Sequence, residues 1–257
     1  MFEDAASYPV RGEWTERTVV GSLLAISSVF IAPAVLLAGY CVRVLETTLA
    51  DADEPPAFDS WRDLAVRGLG ATAITVAYLV VPLLLGLLAA VIVGIIGYYG
   101  LLGLAPAIGN QTELVWGASI IAALVAAALA LAFVGATLVV YYAYPAAMVA
   151  YARTGTVRTA FDRRAVAAVA LTGDYFLAMA AIQLVALLVP IVAVLCVITV
   201  IGVLALPAIL FATLVGCCRL IGTAAVRSST VNNDEAERTA AAPASAVPES
   251  SERVRPR

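Results

Sequence analysis

The chain has 257 residues, 63% of them hydrophobic types and only 13% charged, and its mean hydropathy is +0.99. A soluble domain runs nearer half apolar and a quarter charged, so the polar surface needed to cover a soluble globule is missing and the chain belongs in lipid. All fifteen basic residues are Arg, His is absent and the net charge is −3; this removes His-based catalysis, His metal sites and the lysine of a phosphate-binding P-loop, and no nucleic-acid partner is expected.

Residues 1–18 carry Glu3, Asp4, Glu13 and Glu16 before any apolar run begins. A secretory signal opens instead with positive charge and ends at a small-residue cleavage site, so the first apolar run is expected to be a retained span. Charges bound four uncharged runs: Thr18 to Val42, Gly68 to Thr112, Leu114 to Ala152 and Tyr175 to Cys218. A helix needs roughly 20 apolar residues to cross about 30 Å of hydrocarbon. The first run fits one span; each of the others has room for one long span or two short ones.

Arginine placement selects among these. Arg43, Arg62 and Arg67 mark one linking segment, and Arg153, Arg158, Arg163 and Arg164 mark another, whereas the breaks near Gly109–Glu113 and Gly202–Pro207 carry no Arg. Positive residues collect on the cytoplasmic side, so both Arg-bearing segments are read as cytoplasmic. The simplest count gives the two middle runs one span each and the last run two, broken at Gly202–Pro207. The expected fold is an all-α transmembrane bundle of about five spans, with residues 1–18 outside, a membrane domain over 19–227 and the C-terminus cytoplasmic. Gly94, Gly97, Gly100 and Gly103, followed by Pro106, suggest a broken helix end or outer re-entrant turn. Ala118, Ala122, Ala126 and Ala130 show small-xxx-small spacing, with close helix contact and filler as competing readings. Residues 228–257, rich in Ser, Ala, Pro and charge, cannot bury enough surface to offset ordering entropy and are expected to be a disordered tail.

The two cytoplasmic segments echo each other. Tyr40 with Arg43 and Tyr151 with Arg153 end a span; Ala-Phe-Asp follows at 57–59 and 160–162; Pro82 and Pro190 lie in the next runs. Two related halves are therefore expected, each with an interfacial amphipathic helix. In the first, Phe58, Trp61, Leu64 and Ala65 form an apolar stripe, while Asp59, Arg62, Asp63 and Arg67 face water, with Asp63 and Arg67 at ion-pair spacing. Phe58, Trp61 and Phe161 are the expected interfacial anchors and Asp59 and Asp162 the expected helix caps. The acids at Asp51, Asp53 and Glu54 lack the glycine and terminal Glu of a calcium loop, but whether the 51–63 acids bind a cation stays open.

The four cysteines, Cys41, Cys196, Cys217 and Cys218, lack zinc-type spacing; Cys41 and Cys218 are expected to face the cytoplasm, and Cys217–Cys218 reads as small apolar residues or as a lipid acceptor. Gln183 is the most polar residue well inside a run and reads as an intramembrane polar contact, or as part of a small polar site. No catalytic, cofactor or metal set is identified. The leading functional reading is non-enzymatic membrane organisation, or assembly with a membrane-protein partner or a second copy. Rivals are an uncoupled transporter or channel for a small or lipid-like solute near Gln183, and a metal-assisted enzyme on lipid headgroups using Asp59, Asp63 and Asp162.

"YPVRGEW" at 8–14, "AGYCVRVLETT" at 38–48, "EPPAFDSWRDLAVRGL" at 54–69 and "YPAAMVAYARTGTVRTAFD" at 144–162 resemble the domain-of-unknown-function 4013 family, membrane proteins of archaea and bacteria. The resemblance runs from Tyr8 to Ala225 and implies a cell-membrane, archaeal-type protein. It carries no activity, cofactor or catalytic residue.

Overall fold

A computed structural model describes residues 2–12, 14–108 and 112–241. The elements are α1 (Phe2–Ser7), a 3-10 turn (Tyr8–Val10), α2 (Trp14–Ser27), α3 (Ile31–Leu49), α4 (Trp61–Ile108), α5 (Thr112–Thr154), a second 3-10 turn (Val157–Phe161), α6 (Arg163–Ala170), α7 (Gly173–Ile198) and α8 (Val200–Ala241). No strand occurs among the described residues. Among the described residues, five helices are long and apolar enough to cross a membrane, over Ile31–Leu49, Trp61–Gly100, Ile120–Thr154, Gly173–Ile198 and Gly202–Thr230.

The helices pair as antiparallel hairpins. Thr75 meets Tyr144 and the Tyr151 hydroxyl reaches the Arg67 carbonyl, which sets α4 against α5. Ala178 packs on Leu220 and Ala224, which sets α7 against α8. Between α3 and α4 the backbones touch: a Cβ on Gly39 would stand 2.8 Å from the Leu64 carbonyl carbon, and one on Gly68 would stand 2.8 Å from that of Val35. Each helix thus supplies the glycine that the other's carbonyl needs.

The core gathers at one end. Tyr40, Val42, Leu45, Leu64, Ile74, Val149, Tyr175, Phe211 and Val215 are buried together, whereas Leu84, Leu87, Ile120, Leu124, Leu188 and Leu195, further out along the same helices, are exposed. A soluble protein would cover such residues; apolar solvent removes that need.

Several expectations meet a different geometry. The run 18–42 is not one span: α2 ends at Ser27, α3 begins at Ile31, and the tip is closed by hydrogen bonds from Phe30 N–H to the Ser27 carbonyl (2.9 Å) and from the Ser28 hydroxyl to the Ala25 carbonyl (2.6 Å). Uninterrupted apolarity hid a break made by two serines. The glycines at 94–103 leave α4 unbroken to Ile108, and added Cβ atoms there meet nothing within 4 Å. In apolar surroundings the helix keeps its own hydrogen bonds whatever its glycine content. Ala122 and Ala130 are exposed, so close contact along that stripe is missing at both positions.

The last break falls at Thr199, before Gly202–Pro207, and Pro207 lies inside α8. Thr199 is extended (φ −107°, ψ 128°), and Gly202 sits so close beneath the turn that a Cβ would stand 2.6 Å from Cys196 Cα. Residues 228–241 continue α8 rather than starting a disordered tail: an Ala- and Glu-containing stretch attached to a formed helix needs no new nucleus. The rest of the expected tail, 242–257, lies outside the described residues. No separate amphipathic helix covers 58–67; α4 starts at Trp61 and runs straight on. The second segment does contain one, α6, which buries Val166, Val169 and Ala170.

Residues 1–18 were expected across a bilayer from the arginine segments. Instead the Tyr8 hydroxyl donates to the Glu54 carbonyl (3.0 Å), Arg11 reaches the Asp53 carbonyl (3.4 Å), Arg17 pairs with Glu54 (3.7 Å) and Asp4 pairs with Arg219 (3.1 Å). The N-terminal segment packs on the same end as loop 50–60 and the Arg219 turn of α8.

Candidate functional site

The packed end is organised by residues that local pattern did not mark. Arg219 is 5% exposed. Its Nε donates to Asp4 Oδ2 (3.1 Å), its Nη1 donates to the Ala52 carbonyl (2.8 Å), and its guanidinium lies 4.5 Å from the centre of the Tyr8 ring. A buried guanidinium persists only when its donors are used and its charge is paired; α1, the Tyr8 turn and loop 50–60 together do this. Partial burial alone would raise the Asp4 pKa, but hydrogen bonds from Arg11 and Arg219, with their charges, outweigh it and hold the carboxyl below its ordinary value. A set of tyrosine hydroxyls completes the end: Tyr40 donates to Pro56, Tyr78 to Ala160, Tyr142 to Ala170 and Tyr175 to Tyr142, all to carbonyls at 2.6–3.1 Å. The only sequence signal for this was the clustering of Tyr near span ends, where an amphipathic ring suits a boundary.

The residues singled out in the sequence take varied places. Phe58 is half-buried and stacks on Tyr40 at 4.2 Å, with Trp61 beyond it at 5.9 Å; it faces inward, and Trp61 is the exposed member of the pair. Phe161 is exposed on one side and stacks on Tyr78 at 5.6 Å. Asp162 precedes α6 and accepts from the Arg164 N–H at 2.9 Å. Asp59 pairs with Arg43 at 2.6 Å, and that hydrogen bond chiefly lowers its pKa. Asp63 pairs with Arg67, which also bonds Glu46 at 2.8 Å. The three aspartates share no partner, and among the described residues no group of three His, Cys, Asp or Glu side chains forms a metal cage. Cys41 is half-buried and Cys218 buried.

Gln183 leads to a large concave feature. Tyr141 donates to its Oε1 at 2.8 Å, and the pair lies on the wall of a groove of about 790 Å³ between α5, α6 and α7. Leu138, Val139, Leu171, Phe176 and Ala180 line it, and Arg163 and Phe161 stand at the packed end. The volume is that of a small-molecule site, about 300–1,000 Å³. α5 and α7 meet at Tyr142 and Tyr175, whose rings lie 5.2 Å apart, and again at Tyr141 and Gln183, while α6 contributes Arg163, Val166, Ala167 and Ala170 to the wall.

An all-helical bundle with five helices of membrane-crossing length and apolarity, joined through one polar end, defines the class as a multi-helix membrane protein. Residues 20–198 match the family described as "Protein of unknown function (DUF4013)", well over half of the chain, and the protein belongs to that family. The match takes in the quoted stretches at 38–48, 54–69 and 144–162 but not 8–14. No curated protein and no solved structure matches the chain.

Proposed function

We propose that this is a non-enzymatic membrane protein that assembles with a helical membrane partner through the outer part of its α4–α5 hairpin, with its packed end and both termini on the cytoplasmic side. The observation that carries the assembly is a length. From Tyr78 outward α4 continues for about 45 Å of uncharged helix, against about 30 Å of hydrocarbon. Matching that length by tilt alone needs an angle beyond the usual 0–40° range. Another apolar helical surface covers the excess.

The orientation is supported by arginine. Arg43, Arg62, Arg67, Arg153, Arg158, Arg163, Arg164 and Arg219 all belong to the packed end, while the tips at Ser28–Phe30 and Thr199 carry no charge. A photo-reactive residue at Leu87 or Leu124, both exposed, tests the assembly in native membranes. The expected product is a discrete protein adduct, whose mass distinguishes a different protein from a second copy. Lipid adducts alone would overturn the reading. A headgroup enzyme using Asp59, Asp63 and Asp162 gains no support, since each carboxylate already has its own local partner.

A further inference from the structure

We propose that the groove between α5, α6 and α7 holds one hydrocarbon chain of an anionic phospholipid, with the lipid phosphate at Arg163. The inference goes beyond the assembly reading and takes from the proposed function only the cytoplasmic placement of the packed end. The groove walls are almost wholly apolar, so a polar solute would lose its water there without gaining hydrogen bonds. Of the polar pair in the wall, the Gln183 carbonyl oxygen already accepts from the Tyr141 hydroxyl. That leaves a surface suited to methylene groups. Gln183 lies about 15 Å along α7 from Gly173, a depth that suits the length of an acyl or isoprenoid chain more than a compact solute.

The headgroup end is charged. Arg158, Arg163 and Arg164 make no ion pair among the described residues. Arg153 is turned away to the Ala225 carbonyl at 2.8 Å, and Asp162 is occupied at the start of α6. Arg163 is exposed and borders the groove. A guanidinium at this level offers a phosphate two parallel donors. α6 keeps its apolar face on the bundle and its arginines at the boundary, as an interfacial helix does. Basic residues near the cytoplasmic leaflet attract anionic lipid. Phosphate is thus the shared chemistry, and the apolar groove commits it to a lipid rather than to a free ion.

The test uses the full chain in phosphatidylcholine vesicles doped with phosphatidylglycerol that carries a photo-reactive diazirine on one acyl chain. Cross-links should concentrate on Leu138, Val139, Phe176 and Ala180, well above those on Leu84 and Leu87 of α4. Ala180→Trp fills the groove from an exposed position and should reduce groove labelling several-fold while leaving the Leu84 and Leu87 signal unchanged, which also reports an intact fold. Labelling by the phosphatidylglycerol probe should exceed that by a matched phosphatidylcholine probe, and Arg163→Gln should abolish that excess. Excess inorganic phosphate should not displace the probe. Even labelling along all exposed helices, or an Ala180→Trp protein that labels like wild type, would overturn the site. Equal labelling by the two lipids in wild type would overturn its headgroup assignment.

Discussion

Arg219 concentrates three kinds of contact on one guanidinium: an ion pair, a carbonyl hydrogen bond and a ring face. Arg219→Gln removes the charge and leaves Asp4 with Arg11 alone. Breaking a buried pair costs about 3–5 kcal/mol, and the lower end applies because Asp4 is partly exposed. The expected result is release of residues 2–12, seen as faster proteolysis at that segment with the rest of the protein intact. Acid should do the same. The Asp4 pKa is depressed in the folded protein, so its contribution is full above the ordinary carboxylate value of about 4 and is lost as pH falls through the depressed one. Protection of the N-terminal segment should therefore decline only below about pH 4, and Asp4→Asn should weaken protection at neutral pH and flatten the acid response. Local rules read Asp162 and the Asp63–Arg67 spacing directly from sequence, because both partners lie within four residues. Arg219 was legible only as a boundary charge. Its partners are as far as 215 positions away, beyond the reach of periodicity.

At the scale of elements, the existence and apolarity of the long helices were legible, as was the division between α4, ending at Ile108, and α5, beginning at Thr112; the breaks at Ser28–Phe30 and Thr199 were not. Composition points to Gly94–Gly103 as a break, yet those glycines face open space. The actual turns lie at Ser28–Phe30 and Thr199, where short hydroxyl side chains bond nearby carbonyls. A glycine matters where another backbone approaches it. Gly39→Val or Gly68→Val should push α3 and α4 apart and lower the melting temperature in detergent clearly, since overpacking costs about 1–3 kcal/mol. Gly97→Ala should change it little or raise it slightly, because replacing an unpacked helical glycine gains up to about 1 kcal/mol. A neutral Gly68→Val would contradict the reciprocal contact.

At the scale of the whole molecule, counting charged segments located the polar end but placed the first residues opposite it. The count treated 18–42 as one crossing. With α2 and α3 folded as a hairpin, the chain leaves the packed end and returns to it three times. Epitopes at the two ends should therefore become accessible together, only after the cytoplasmic side is opened. An N-terminal epitope reached from outside intact cells would contradict this arrangement. The groove was half legible: Gln183 stood out by polarity, but the groove around it is built by residues of α5, α6 and α7 brought side by side, a tertiary outcome.

The Asp4–Arg219 contact also bears on how the protein is made. The N-terminal segment is made long before α8, yet the residue that pairs with Asp4 and covers the Tyr8 ring belongs to α8. Until α8 is made, Tyr8, fully buried in the finished protein, can reach Glu54 but lacks the guanidinium that covers its ring. Closure of this latch waits for α8, and a chain truncated before α8 would hold its N-terminal segment only through loop 50–60, a ready mark by which quality-control proteases could tell an incomplete copy from a finished one.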